Sequence, residues 1–451
     1  MWDMGKFMKN KFFNRKMLAK LLIISFLTMF INSAEAAEPV NSNIIKLDGW
    51  SLDDEYNLSY GEEKNTTYTY SDFLNSYNKN CLDKQINELS LESNNLQYQQ
   101  YCLQYDSICE SVAYYKQLVD QYNTLAKTYE LEMNASTGAD KDTAQQNMQQ
   151  SLLTAKTYEA ELASAVLKKA EIYVNRENCL FVKNNDTMLQ HQQYVSQIAD
   201  LRDSVYELKL LREKKDLQGT YAEYAKLQEN EQSINKSKDM AFQAYIDVFS
   251  SDYDYYINQQ ELIKQQYENQ FEQLLSNSGV STSQGIVIKN IKSLEDNLHV
   301  TYDSLESGTD KTDVKEKQLK DKNRIIDGKI KILKEYYSDN SNEVRLAQNE
   351  KTQTSLELYK WRIQRKIILK NTYALYKSKH NEISIIEKKA KAMHNKYIML
   401  LNKYNFGLTD KITVKEAELN FMQSKYNLWN TLFEYSNAYS KIEKYISGKI
   451  N

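Results

Sequence analysis

The chain has 451 residues, with 58 Lys and Arg against 61 Asp and Glu and a net charge of −3. The two signs are well mixed, so the basic patch or stripe of a nucleic-acid binder is absent and no nucleic-acid partner is expected. A mean hydropathy of −0.69 with 41% apolar residues is thin for large globular cores, and one proline and 11 glycines leave too few breakers for anything but a mostly helical chain.

Lys6, Lys9, Lys11, Arg15, Lys16 and Lys20 form a basic leader ahead of an apolar run from Leu21 to Ile31. The run is shorter than the roughly 20 residues that span a bilayer, and Ala34-Glu-Ala36 follows as a small-x-small cleavage signature. Residues 1–36 therefore read as a signal peptide, and the mature chain is expected to begin near Ala37 and to work in the cell envelope.

Residues 37–68 read as an irregular polar segment, with Thr66–Tyr70 as a short strand or a lead-in. A first helical repeat covers 69–275. Its opening helix starts at Ser71 or Asp72, both good caps, and runs to about Met133, roughly 90 Å. Leu82, Leu89, Leu96 and Leu103 recur every seven residues with Ile86 between them, the spacing of a helix seam. Asn134–Asp142 is the turn, and a return helix from Thr143 to about Gln218 carries Tyr194, Ile198, Leu201, Val205 and Leu208 in heptad spacing. Gly219 is expected to break that helix, and another continues to about Leu275.

Residues 276–287, rich in Ser and Gly, read as a linker, and 288–451 as a second helical repeat. In it a helix leads to Tyr337, residues 338–342 turn, a long helix from Glu343 reaches Tyr404, Gly407 breaks it, and a last helix ends near Gly448. Ile383, Ile386, Ala390, Met393 and Tyr397 continue a seam that Phe421, Leu428, Leu432, Tyr435, Tyr439 and Ile442 answer on the last helix. Both halves follow one plan, which points to an internal duplication. The expected fold is all-α, built of long antiparallel helical hairpins with coiled-coil packing in two repeats. Trp361 and Trp429 fit core anchors, and many of the 35 tyrosines fall at seam positions where a ring packs and its hydroxyl meets water.

Cys81, Cys102, Cys109 and Cys179 remain after export, where disulfides form readily. Cys102 and Cys109 lie seven apart on one helix, about 10 Å by helical rise, too far for a direct bridge. Cys179, on the return helix, reaches one of them if the hairpin register allows; four free thiols are the other reading. The four histidines are scattered and none neighbours a cysteine, so neither a metal nor another cofactor is expected. No Gly-rich phosphate loop, Gly-x-Ser-x-Gly elbow or His-Glu-x-x-His occurs, and the chain does not read as an enzyme.

Tyr404, Gly407 and Leu408, followed by Ala417 and Leu419, make an aromatic-x-x-Gly-Leu pattern with an alanine and a leucine ten and twelve residues after the glycine. Thr69, Leu74 and Asn80 open the first repeat, and Leu217-Gln-Gly-Thr220 is a poorer copy of the glycine break without its aromatic residue. In these features the chain resembles the outer-membrane efflux protein (TolC) family, most specifically over 379–448. The resemblance implies a homotrimeric α-helical tunnel, exported to the cell envelope, that works with a periplasmic adaptor (membrane-fusion) protein and an inner-membrane pump. Phe406, Gly407, Leu408, Thr409 and Asp410, with Gly219 as the first-half counterpart, would form the adaptor-docking tip. Phe406 stands where the family has a small aliphatic residue, which implies a different adaptor preference. The family also inserts membrane strands at the opposite hairpin ends, here 134–142 and 338–342. Both are short and polar, whereas a membrane strand needs about 9 to 11 alternating residues; only 279–290 and 57–70 offer strand-like sequence instead. Apart from the resemblance, the seams alone fit a structural coiled-coil rod or spacer of the envelope.

Overall fold

The computed structural model describes residues 50–61, 66–234, 240–280, 285–289, 291 and 300–450. The leader, its cleavage site and residues 37–49 lie outside them. Helices hold 88% and strands 3% of the described residues, so the fold is all-α. In chain order come a 3-10 turn (Leu52–Glu55), β1 (Leu58–Tyr60), β2 (Thr66–Thr69), α1 (Tyr70–Asn80), α2 (Leu82–Ala135), α3 (Ala139–Asn184), α4 (Asp186–Ile234), α5 (Met240–Ser278), β3 (Ile286–Lys289), α6 (Tyr302–Thr312), α7 (Val314–Leu333), α8 (Asn342–Asn405) and α9 (Lys411–Ile446).

Capping chemistry sets most helix ends. Thr69 caps α1 by accepting from the Asp72 amide while the Asp72 carboxylate accepts from the Thr69 amide, a reciprocal box; Thr301 and Ser304 build the same box on α6. Each short helix has 11 residues and ends at a residue with non-helical backbone, Cys81 (φ −60°, ψ 115°) or Asp313 (φ −53°, ψ 100°). The single helix expected from Ser71 to Met133 is therefore two, jointed at Cys81. The return helix is also jointed, at Asn185, whose N–H is shared between the Phe181 and Val182 carbonyls. Thr69 and Thr301, like Cys81 and Asp313, stand 232 residues apart. After each pair follow a hairpin, a long descent and a final helix, so the two halves share one element order.

Cross-helix contacts order the helices as a row in which neighbours alternate in direction. In the upper half the row is α2, α3, α7, α8. Arg176 of α3 stands over the Tyr105 ring of α2 at 4.3 Å, Arg324 of α7 donates to Glu177 at 3.0 Å, and Ser355 of α8 donates to Asn323 of α7 at 3.3 Å. In the lower half the row is α5, α4, α9, α8. Tyr221 stacks on Tyr256 with centroids 4.9 Å apart, Arg202 donates to Glu443 at 2.6 Å, and Tyr376 stacks on Tyr435 at 5.4 Å. With 64 residues, α8 borders both halves. The α2–α3 hairpin reaches past the α7–α8 turn, which meets it around Val112, Ala165 and Val166.

The thickest core lies where the rows change partners. Trp429 and Phe73 have no solvent exposure, and Tyr56, Tyr206, Phe271 and Ala390 close around them. Trp361 anchors a second cluster with Leu369, Tyr439 and Ile442. Over the first core sits a three-stranded sheet in the order β1-β3-β2, with β1 antiparallel and β2 parallel to β3; Leu58 faces Ile288 and Thr66 faces Ile286. The strands thus come from 57–70 and 279–290, each only three or four residues long. The proposed linker is correspondingly shared out: its first residues finish α5 and its last begin β3. No helix among the described residues is long and apolar enough to cross a membrane.

Candidate docking tip

At the lower end of the row, α8 reverses into α9 over five residues, 406–410. Gly407 adopts φ +67°, the left-handed region that favours glycine. The Leu408 amide donates back to the Lys403 carbonyl at 2.9 Å and the Gly407 amide to the Tyr404 carbonyl at 2.8 Å. These two bonds are a Schellman closure, which uses carbonyls the helix end would otherwise leave open. Asp410 then caps α9, accepting from the Thr413 amide at 2.6 Å and from its hydroxyl at 2.9 Å. The reversal is thus fixed on both sides by hydrogen bonds.

A Schellman closure commonly tucks the residue after the glycine against the helix it ends. Leu408 does not do so: it is 73% exposed, and Phe406 beside it is 56% exposed. The Gly407 α-carbon also faces open space, with nothing within 4 Å of where a β-carbon would lie. Two large apolar side chains therefore stand on a capped loop, uncovered among the described residues.

The tip is braced from the side by α4. Lys415 pairs with Glu223 of α4 and with Glu418 at 2.8 Å, and Tyr221 donates to Gln423 at 3.3 Å. Near the end of α4, burial together with the negative charge of Asp410 raises the Glu231 carboxyl above its ordinary value. Burial likewise raises the Tyr224 hydroxyl, with Glu416, Glu231 and Asp410 adding to it. The apolar pair thus borders an acidic spot.

Of the residues singled out in the sequence, Phe406 through Asp410 come together at this loop and Gly219 does not join them. Gly219 lies inside α4, fifteen residues before its end, so the expected break there is wrong. Its missing side chain serves packing instead: a β-carbon would lie 2.6 Å from Nε2 of Gln260 on α5. The first-half counterpart of the tip is the α4–α5 connection, residues 235–239, outside the described residues. All four cysteines are free. Cys179 is buried against α2, its carbonyl accepting from Asn94 at 3.0 Å, and burial raises its thiol.

Sequence reasoning missed the charged group that bolts the N-terminal segment to the row. Lys209 and Glu213, each 2% exposed, pair at 2.8 Å; Lys209 also meets Glu55 at 3.4 Å. Lys425 reaches Glu55 at 2.8 Å and Glu213 at 3.2 Å. Burial opposes both charges, yet Lys425 and Lys209 pull the Glu55 carboxyl below its ordinary value, and Glu213 and Glu55 push Lys425 above its own. The available signal was a Lys and a Glu four apart beside an apolar seam, which is usually a solvated pair. No family model matches the chain, and no curated protein matches it.

Proposed function

We propose that the chain is a TolC-like efflux or secretion component of the cell envelope, forming an oligomeric α-helical tunnel that docks an adaptor protein at its α8–α9 tip. The observation that carries this reading is the uncovered Leu408–Phe406 pair on a loop closed by its own hydrogen bonds. A preformed apolar knob binds without ordering cost, and its use is to enter a partner's pocket. The adjoining Asp410 and Glu231 favour a partner tip with a basic rim. The partners in this reading are a periplasmic adaptor and, through it, an inner-membrane pump. No catalytic step belongs to it.

Burying a leucine contributes about 1.5–3 kcal/mol, so Leu408→Asp is expected to weaken adaptor binding at least about tenfold. Because Leu408 touches little within the chain, helix content and melting are expected to stay unchanged. The measurement is binding of wild type and variant to the helical hairpin of an adaptor protein, with circular dichroism as the folding control. Equal binding by the variant would remove the docking role.

The polar hairpin turns at the opposite end favour a second reading, a structural rod or spacer. Neither the turn at 136–138 nor that at 334–341 carries a strand. A rod predicts an elongated monomer or dimer, and export that does not depend on Leu408.

A further inference from the structure

Two edges of the helix row are patterned as helix seams, and among the described residues nothing packs on them. On α2, Leu82, Ile86, Leu89, Leu96 and Leu103 keep heptad spacing, yet all are 56–73% exposed. On α8, at the other edge, Leu346, Leu356, Tyr359, Ile363 and Ile367 are 48–68% exposed. Both stripes continue down the molecule. Val248, Tyr255 and Leu262 of α5 are exposed seven apart below α2, and Ile385 and Met399 are exposed fourteen apart on α8. Within the chain, α2 uses its other face to pack on α3.

The edges match in height, direction and charge. The chain of contacts from Tyr105 through Arg176 and Arg324 to Ser355 marks one level across the row. It sets Leu103 level with Leu356, and since α2 and α8 run in opposite directions, Leu96 falls level with Ile363. The same register puts Glu92 opposite Lys366, Glu88 opposite Lys370 and Asp83 opposite Lys377. All six are exposed, and among the described residues only Glu88 has an ion pair, with Lys84 at 4.0 Å. Over 82–110 the sequence carries five acidic residues and one lysine; over 356–377 it carries six basic residues and one glutamate.

We infer that the partner of each edge is a second copy of this chain, joined head to tail: the acidic α2 edge of one copy lies antiparallel on the basic α8 edge of the next. The inference deepens the tunnel reading, on which it rests for the existence of an oligomer, by assigning the faces and the register. Because the two faces differ, an open assembly keeps one free edge at each end until it closes as a ring. An edge about 96 Å long and about 10 Å wide offers on the order of 1,000 Å² per copy, against about 800 Å² for a standard stable interface. Alternation of up and down helices continues unbroken across the joint.

The test uses the full mature chain and measures its mass in solution. Wild type is expected to assemble at low salt and to weaken at about 0.5 M NaCl, where the Debye length is about 4 Å. One variant reverses the basic edge (Lys366→Glu, Lys370→Glu, Lys377→Glu) and the other the acidic edge (Asp83→Lys, Glu88→Lys, Glu92→Lys). Each alone is expected to be a monomer with wild-type helix content, and an equimolar mixture is expected to assemble. A wild type that stays monomeric, variants that assemble alone, or a mixture that remains monomeric would each overturn the inference. Adaptor binding separates this failure from that of the docking role. A monomer that still binds adaptor through Leu408 refutes the edge pairing alone, whereas a ring indifferent to Leu408→Asp refutes the docking alone.

Discussion

Replacing Glu213 by alanine isolates the buried charge group. The carboxylate is 2% exposed, pairs with Lys209 at 2.8 Å, and lies 3.2 Å from the Lys425 ammonium. Without it, among the described side chains the two ammonium groups share Glu55 alone, and Lys209 is itself 2% exposed and 4.9 Å from the Trp429 ring. Removing one partner of a buried pair costs about 3–5 kcal/mol; because Glu55 remains, the lower end, about 3 kcal/mol, is expected. At about 2 °C per kcal/mol for a large domain, that is a melting shift of about 6 °C. The double replacement Lys209→Met with Glu213→Leu leaves the Lys425–Glu55 pair whole and is expected to come within about 1 kcal/mol of wild type. Denaturant titrations would be followed by far-ultraviolet circular dichroism and by tryptophan emission, since Trp50 donates to Glu55 and Trp429 lies beside Lys209. A loss below about 1 kcal/mol for Glu213→Ala would mean that water already reaches the group, and a double variant as weak as the single one would mean that the unpaired Lys209 charge is not the source of the loss.

The raised Glu231 carboxyl makes the native state bind its proton more tightly than the unfolded chain, so its contribution falls as pH rises from the ordinary carboxylate value through the raised one. Glu231→Gln should therefore stabilise the tip at neutral pH and be silent below about pH 4; thermal melts across pH that show the reverse order would refute this. Glu316, although burial opposes its charge, is held down to about 2 by Lys320, Arg362 and Arg365, so its contribution is present above the ordinary value of 4.5 and is lost as pH falls from there toward 2. Melts of Glu316→Gln should converge with wild type in that acid range. Thr69→Ala and Thr301→Ala each remove the cap of a reciprocal box and should cost about 1 kcal/mol apiece; denaturation midpoints that differ widely between the two would argue against equivalent roles in the two halves. Gly407→Ala forces a left-handed residue and should cost about 1–2 kcal/mol, whereas Gly219→Ala displaces only the end of Gln260 and should be neutral or stabilising in the same melts.

Periodicity and punctuation were enough to read the helices, the polar turns and the Gly407 reversal, because each has a local cause in the chain. Trp361 and Trp429 are buried as their place in the apolar pattern implied, at 3% and 0% exposure. Joints were harder. Asn184-Asn185-Asp186 is a run of residues whose side chains compete for the backbone, a signal that went unread. The joint at Cys81 has no such mark. Gly219 misled because a glycine in a helix pattern can end it or admit a neighbour, and only the position of Gln260 on another helix decides which. The leucine stripe on α2 shows the deeper limit: seven-residue spacing states that a face wants a partner, and carries no information on whether that partner lies in the same chain. The ion group around Lys209 and the pairing of β1 and β2 with β3 join residues more than 150 apart, beyond the reach of any local pattern.

The Asn185 joint gives the molecule unequal stiffness along its length. On one side stands α8, 64 residues in a single hydrogen-bonded column; on the other, α3 and α4 meet where the ladder already divides one N–H between two carbonyls. Flexing α8 would stretch ladder bonds, each contributing about 1 kcal/mol, while a swivel at Asn185 strains an N–H already divided between two carbonyls. A force applied at the lower tip is therefore shared between a rigid spar and a jointed one, and the jointed side yields first. Compliance of that kind lets the lower part of α4 shift sideways while the Gly407 loop holds its height.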